Sequence, residues 1–95
     1  MDVTASSRCA GSKAVLAVRA TNNEAVPLDV TFATAHGEES LSDVAAGEHA
    51  FHAFSTRLAA LPAGEATITA SALVDGLPVT MTQSASYEPR SCGTQ

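Results

Sequence analysis

The chain has no tryptophan, a single tyrosine (Tyr87), three phenylalanines, one lysine (Lys13) and one isoleucine (Ile68). A core must therefore be assembled from alanine, valine and leucine with very few rings. Positive charge is equally sparse. Arg8, Lys13, Arg19, Arg57 and Arg90 stand singly against ten acidic residues, for a net charge of −5. Nucleic acids and anionic membrane surfaces both require a dense basic patch, so neither is an expected partner. No apolar run approaches the ~20 residues of a membrane-spanning helix. Met1 is followed by Asp2 and a polar stretch, not by the basic and apolar regions of a signal peptide. The expectation is a piece cut from a longer secreted protein.

What is present points to one small β domain. Ninety-five residues make a single core, spanning 1–95, with a polar tail over 90–95. Turn signals recur at sandwich spacing: Gly11-Ser12, Asn22-Asn23, His36-Gly37, Ala46-Gly47, Pro62-Ala63-Gly64 and Asp75-Gly76. The intervals hold seven strands: Val3–Cys9, Ala14–Thr21, Pro27–Thr34, Glu39–Val44, His49–Arg57, a sixth around Ala66–Ala72, and Leu77–Tyr87. Alternation is plain in three of them. Leu16, Val18 and Ala20 share one face of the second, Leu28, Val30 and Phe32 one face of the third, and Ala66, Ile68, Ala70 and Ala72 one face of the sixth. Asp75-Gly76 is the residue pair of a tight hairpin turn, and Pro78 beyond it suits an edge strand. The short run Leu58–Leu61 could form one helical turn, but Pro62 and Gly64 stop it from growing, so it reads as a crossover between sheets. The fold class is an all-β, seven-stranded immunoglobulin-like sandwich.

Two cysteines near opposite ends, Cys9 and Cys92, predict one terminal disulfide and an oxidising, extracellular compartment. Bridging requires Cα atoms within about 7 Å. The ends of the first and last strands then meet at one pole, and those strands run parallel as neighbours. The antibody signature of a core tryptophan and mid-strand cysteines is missing.

Candidate chemistry is thin. There is no Gly-x-Ser-x-Gly and no free thiol is expected, so a nucleophilic site is not predicted. His49 and His52 are three apart, which on a strand sends them to opposite faces; they do not form a metal pair. Glu38, Glu39 and Asp43 are hard ligands suited to calcium, but read better as a solvated rim. Glu48, Glu65 and Asp75 supply carboxylates for glycosidic cleavage only if a cleft brings them together. No cofactor and no catalytic residue is expected. The aromatics carry more. Phe32 belongs to the core series, and Phe51 and Phe54, also three apart, must face opposite ways on a regular strand. Phe54 is assigned inward with Ala50, and Phe51 outward beside His49 and Ala53. Tyr87, sharing parity with Val79 and Met81, reads as a half-buried strand end. Phe51, His49 and Tyr87 form the candidate ligand-binding set.

The stretches Ala14–Glu24, Val44-Ala45-Ala46-Gly47, Leu61-Pro62-Ala63-Gly64 and Val74-Asp75-Gly76-Leu77-Pro78-Val79, with Cys9 and Ser91-Cys92 at the two ends, cover nearly the whole chain. Together they resemble the C-terminal immunoglobulin-like accessory modules of secreted actinobacterial polysaccharide-degrading enzymes. The bias toward alanine and threonine, with one lysine, is one associated with high-GC actinobacterial genes. The resemblance implies a non-catalytic β-sandwich beside a glycoside hydrolase catalytic domain. Its partner is either a polysaccharide or that catalytic domain, against which it packs as a spacer or stabiliser. Without tryptophan, a flat platform for crystalline polysaccharide is not expected.

The cysteine pairing is directly testable. Thiol titration of the unreduced, denatured protein is expected to find no free thiol. A bridge enclosing about 84 residues stabilises by about 4–5 kcal/mol on the loop-entropy account. At about 4–8 °C per kcal/mol for a domain this size, reduction should lower the melting temperature by at least ~15 °C.

Overall fold

The computed structural model describes residues 1–92. They form nine strands: β1 (Asp2–Ala10), β2 (Lys13–Thr21), β3 (Leu28–Thr34), β4 (Gly37–Val44), β5 (His49–Ser55), β6 (Ala60–Leu61), β7 (Gly64–Val74), β8 (Leu77–Tyr87) and β9 (Arg90–Ser91). A three-stranded sheet in the order β1-β2-β5 faces a four-stranded sheet in the order β4-β3-β7-β8. Every strand pairing is antiparallel. The alternating series close on each other as expected. Leu16, Val18 and Ala20 from β2 and Ala50 and Phe54 from β5 meet Leu28, Val30 and Phe32 from β3 and Ala66, Ile68 and Ala70 from β7, all buried. In antibody constant domains the fourth strand joins the sheet of the first, second and fifth. Here β4 pairs with β3 instead.

Three expectations are corrected. The count is nine strands, not seven, because two short strands lie where a crossover and a polar tail were predicted. The Leu58–Leu61 segment makes no helical turn; it bends at Ala59 and is a strand at Ala60–Leu61. Thr56 donates its hydroxyl and its N–H to the Ala14 carbonyl, and the Leu58 carbonyl accepts from Ala14 N–H at 2.7 Å. Ala60–Leu61 then pairs with Arg90–Ser91 as a two-stranded clip. The tail is accordingly ordered through Cys92, which is buried; residues 93–95 of the predicted tail lie outside the described residues. Finally, β1 and β8 run alongside each other but belong to different sheets, with no ladder between them. Side chains bridge the seam. Ser7 Oγ donates to the Glu88 carbonyl, Arg90 donates to the Ser7 carbonyl, each at 2.9 Å, and Cys9 bonds Cys92 with Cα atoms 5.6 Å apart.

Asp75-Gly76 forms the tight turn between β7 and β8, with φ of 53° and 79°. Positive φ at both central residues is the twist-matched hairpin turn for which Asp-Gly is favoured. β8 is an edge strand, as Pro78 predicted. The hairpin outruns its neighbours: β3 pairs with β7 only as far as Asp29–Ser71. Its tip is apolar and exposed at Leu73, Val74, Leu77 and Val79. It contributes to the molecule's long axis, 55 Å against 18 and 17 Å.

At the pole where β2 ends, Asn22 is the largest polar side chain wholly enclosed, 1% exposed. Its amide donates to the carbonyls of Val26 and Val44 at 2.9 and 2.8 Å, and its oxygen accepts from Glu24 N–H at 2.8 Å. Its backbone is also paired, with Glu48 and Gly47. Asn22 thus ties the ends of β2 and β4 and the loops after both, using the donors and acceptor that only an amide combines. Asn22→Ala should cost about 2–3 kcal/mol in urea unfolding, since it strands buried backbone groups. The neighbouring exposed Asn23→Ala should stay within about 0.5 kcal/mol.

Candidate functional site on the outer face of the three-stranded sheet

Because β2 buries Leu16, Val18 and Ala20, the intervening Val15, Ala17, Arg19 and Thr21 point to the opposite face. The registers of β1 and β5 against β2 arrange that face in rows. Asp2, Thr21 and His49 form one row, Thr4, Arg19 and Phe51 the next, Ser6, Ala17 and Ala53 the third, and Arg8, Val15 and Ser55 the fourth. Small side chains in the third row leave a low strip beside the taller Arg19 and Phe51.

Phe51 is 48% exposed and stands directly opposite Arg19. Arg19 Nη2 lies 3.2 Å from both His49 Nδ1 and His49 Nε2. A nitrogen equidistant from the two ring nitrogens cannot lie along either lone pair, so the guanidinium rests against the imidazole instead of making one directed bond. Its other N–H groups remain available. Arg19 makes no ion pair among the described residues. The result is an open apolar ring, a guanidinium steadied by an imidazole, and flanking hydroxyls from Thr4, Ser6 and Thr21. Such a surface offers stacking area and hydrogen-bond donors to a polar ligand lying flat.

The sequence-predicted set divides. Phe51 and His49 come together on this face, two residues apart on β5. Tyr87 does not join them. It is 7% exposed, on the inner side of the four-stranded sheet, opposite Gly64 on β7. A Cβ at Gly64 would sit 2.6 Å from the tyrosine hydroxyl, so Tyr87 occupies the space that a glycine leaves and is a packing residue. Of the three candidate ligand contacts, Tyr87 thus stands apart from Phe51 and His49. Arg19 was missed. Its outward parity is readable from β2, but its alignment with Phe51 depends on the β2–β5 register, which no local pattern encodes.

The other candidates remain apart. His52 has the opposite parity to His49 and packs edge-on against Phe54, with ring centroids 4.5 Å apart. No group of three or more His, Cys, Asp or Glu converges among the described residues. Glu65 and Asp75 are ten residues apart along β7 and its turn, roughly 33 Å at the rise of a strand. Paired carboxylates for glycosidic cleavage need ~5–10 Å. The concavity of about 230 Å³, lined by Pro27, Asp29, Asp43, Ser71, Ala72 and Leu73, lies elsewhere, beside a bulge in β4. There Asp43, with φ of 56°, donates its N–H to Asp29 Oδ1. The cysteine pair is joined as expected, and no helix among the described residues is long and apolar enough to cross a membrane.

Compared with known proteins, the chain matches no family model, no curated protein and no solved structure.

The two faces of β5 make opposite demands. Phe54 is 6% exposed and Phe51 48%. Phe54→Ala is expected to cost about 3–5 kcal/mol, as large core truncations do, and Phe51→Ala less than about 1 kcal/mol. Paired chemical denaturation curves check this; equal large losses would show the outer face to be covered.

Proposed function

We propose that the chain is a non-catalytic accessory module of a secreted glycoside hydrolase and binds glycan weakly through the Phe51–Arg19–His49 face. The observation that carries this reading is the exposed Phe51 ring held in register with a guanidinium that has no carboxylate partner among the described residues. A pyranose face stacks on a ring, while its hydroxyls take hydrogen bonds from Arg19, His49, Thr4 and Thr21. Strands hold these groups at fixed orientation, so little entropy is lost on binding. The flat relief suits the side of a soluble or amorphous chain, not a buried terminal sugar. The disulfide fits an extracellular setting, and the resemblance of the turn and strand motifs to accessory modules supports the same context. Docked beside a catalytic domain, such a module raises the local substrate concentration.

A second reading is a structural module packing against the catalytic domain. The exposed Leu73, Leu77 and Val79 at the hairpin tip favour it, because apolar surface gathered at one place marks an interface.

Titration with xylan, arabinan, β-glucan and chitin oligosaccharides by NMR separates the two. One ring with a few hydrogen bonds supports a Kd of about 0.1–1 mM. Shifts should centre on Phe51, Arg19 and His49. Phe51→Ala should abolish them and Arg19→Ala weaken them about tenfold, with the fold retained. Shifts with none of these glycans at millimolar concentration would defeat glycan binding and leave the packing role.

A further inference from the structure

The fold sorts charge by sheet. β4, β3, β7 and β8 carry Asp29, Glu38, Glu39, Asp43 and Glu65, and neither lysine nor arginine. β1, β2 and β5 carry Arg8, Lys13 and Arg19 against a single acid, Asp2. Cations that stand singly along the sequence are thereby gathered on one side of a molecule whose net charge is −5. Parity sends all three to the outer face. Lys13 and Arg19 alternate with the buried Ala14, Leu16 and Val18 on β2, and Arg8 shares the outward set of Thr4 and Ser6 on β1.

The register spaces them. Arg8 stands in the row of Val15 and Ser55, and Lys13 lies opposite Ala10 beyond it. At the rise of a strand, the row of Arg8 is about 13 Å along the sheet from that of Arg19, and Lys13 about 20 Å. Between Arg19 and Arg8 lies the low row of Ser6, Ala17 and Ala53. Among the described residues none of the three cations makes an ion pair. Asp2 lies on the other side of Arg19, and its Oδ2 accepts from Asn23 at 3.0 Å. An oblique line from Phe51 across Arg19 to Arg8 and Lys13 therefore meets basic groups and no carboxylate.

We propose that this face takes an acidic polysaccharide bearing uronate carboxylates at intervals along its chain. Arg19, Arg8 and Lys13 each meet a carboxylate, and the low row seats the sugar rings between them. The proposal rests on the glycan reading above and adds the ligand's charge to it. A guanidinium fork matches a carboxylate through two parallel N–H···O bonds. The spacing selects the class of anion. A nucleic-acid duplex carries one charge per ~1.7 Å of its axis, far denser than cations about 13 Å apart, whereas carboxylates borne one per sugar ring are sparse enough to meet them singly. The carboxylates of the opposite sheet repel the same chain, which steers it to this side of the molecule.

Calorimetric titration with oligogalacturonates, and with the same oligomers fully methyl-esterified, isolates the carboxylate, because the ester keeps the sugar and loses the charge. Exposed ion pairs are individually weak, so the three together should make the acid bind about tenfold more tightly than the ester at ~50 mM salt. At ~0.5 M salt the preference should fall below about twofold. Arg8 and Lys13 are exposed, so Arg8→Gln with Lys13→Gln should keep the melting temperature and cut the preference to about threefold or less. Acid and ester bound alike at low salt, or a double variant that keeps the full preference, overturns the proposal and leaves neutral stacking on Phe51 standing. Binding of neither also overturns it, and the neutral-oligosaccharide titration then shows whether the glycan reading falls with it. Poly-glutamate bound as tightly as the oligogalacturonate overturns it as well and assigns the face to an acidic protein surface.

Discussion

The fold depends on closing one seam. Two sheets held only by side-chain packing are open where β1, the edge of one, passes β8, the edge of the other. No ladder crosses there, so the closure is made by the Cys9–Cys92 bond, with Ser7 and Arg90 on either side. A core short of rings and rich in alanine gains less from burial per residue than one built on large side chains, which raises the weight of that tie. Its effect travels. With Cys92 fixed, its N–H donates to the Ala59 carbonyl at 2.6 Å and Arg90–Ser91 pairs with Ala60–Leu61. That clip seats Leu61 in the core and orders the start of β2 through Ala14. The register of β1 on β2, which places Thr4 and Ser6 beside Arg19, is set locally by the two-residue Gly11-Ser12 turn between Ala10 and Lys13.

Elements with a strong period of two were legible from sequence because their faces are set locally. The β2, β3 and β7 series and the Phe51/Phe54 split follow from pleating alone, and the hairpin turn follows from Asp75-Gly76. What was not legible depends on partners distant in sequence. Leu58–Leu61 reads as a crossover until Arg90–Ser91 arrives to pair with it. Asn22 resembles any turn asparagine until the Val44 carbonyl, twenty-two residues away, comes within 2.8 Å. Tyr87 has readable parity, but its burial is decided by the bare backbone of Gly64 opposite. Half of the candidate site was visible for the same reason: His49 and Phe51 lie on one strand, whereas Arg19 reaches them only through the pairing of two.

The inner face of the long hairpin continues its apolar alternation past the end of the sheet that should cover it. Ala66, Ile68 and Ala70 are enclosed, whereas Val74, Leu77 and Val79 of the same parity are bare. The pattern that drives folding thus overshoots into surface, and the surplus lies next to the one long edge without charge. The enclosed core and the bare apolar tip are thus built from a single repeat, separated only by where the opposing sheet stops.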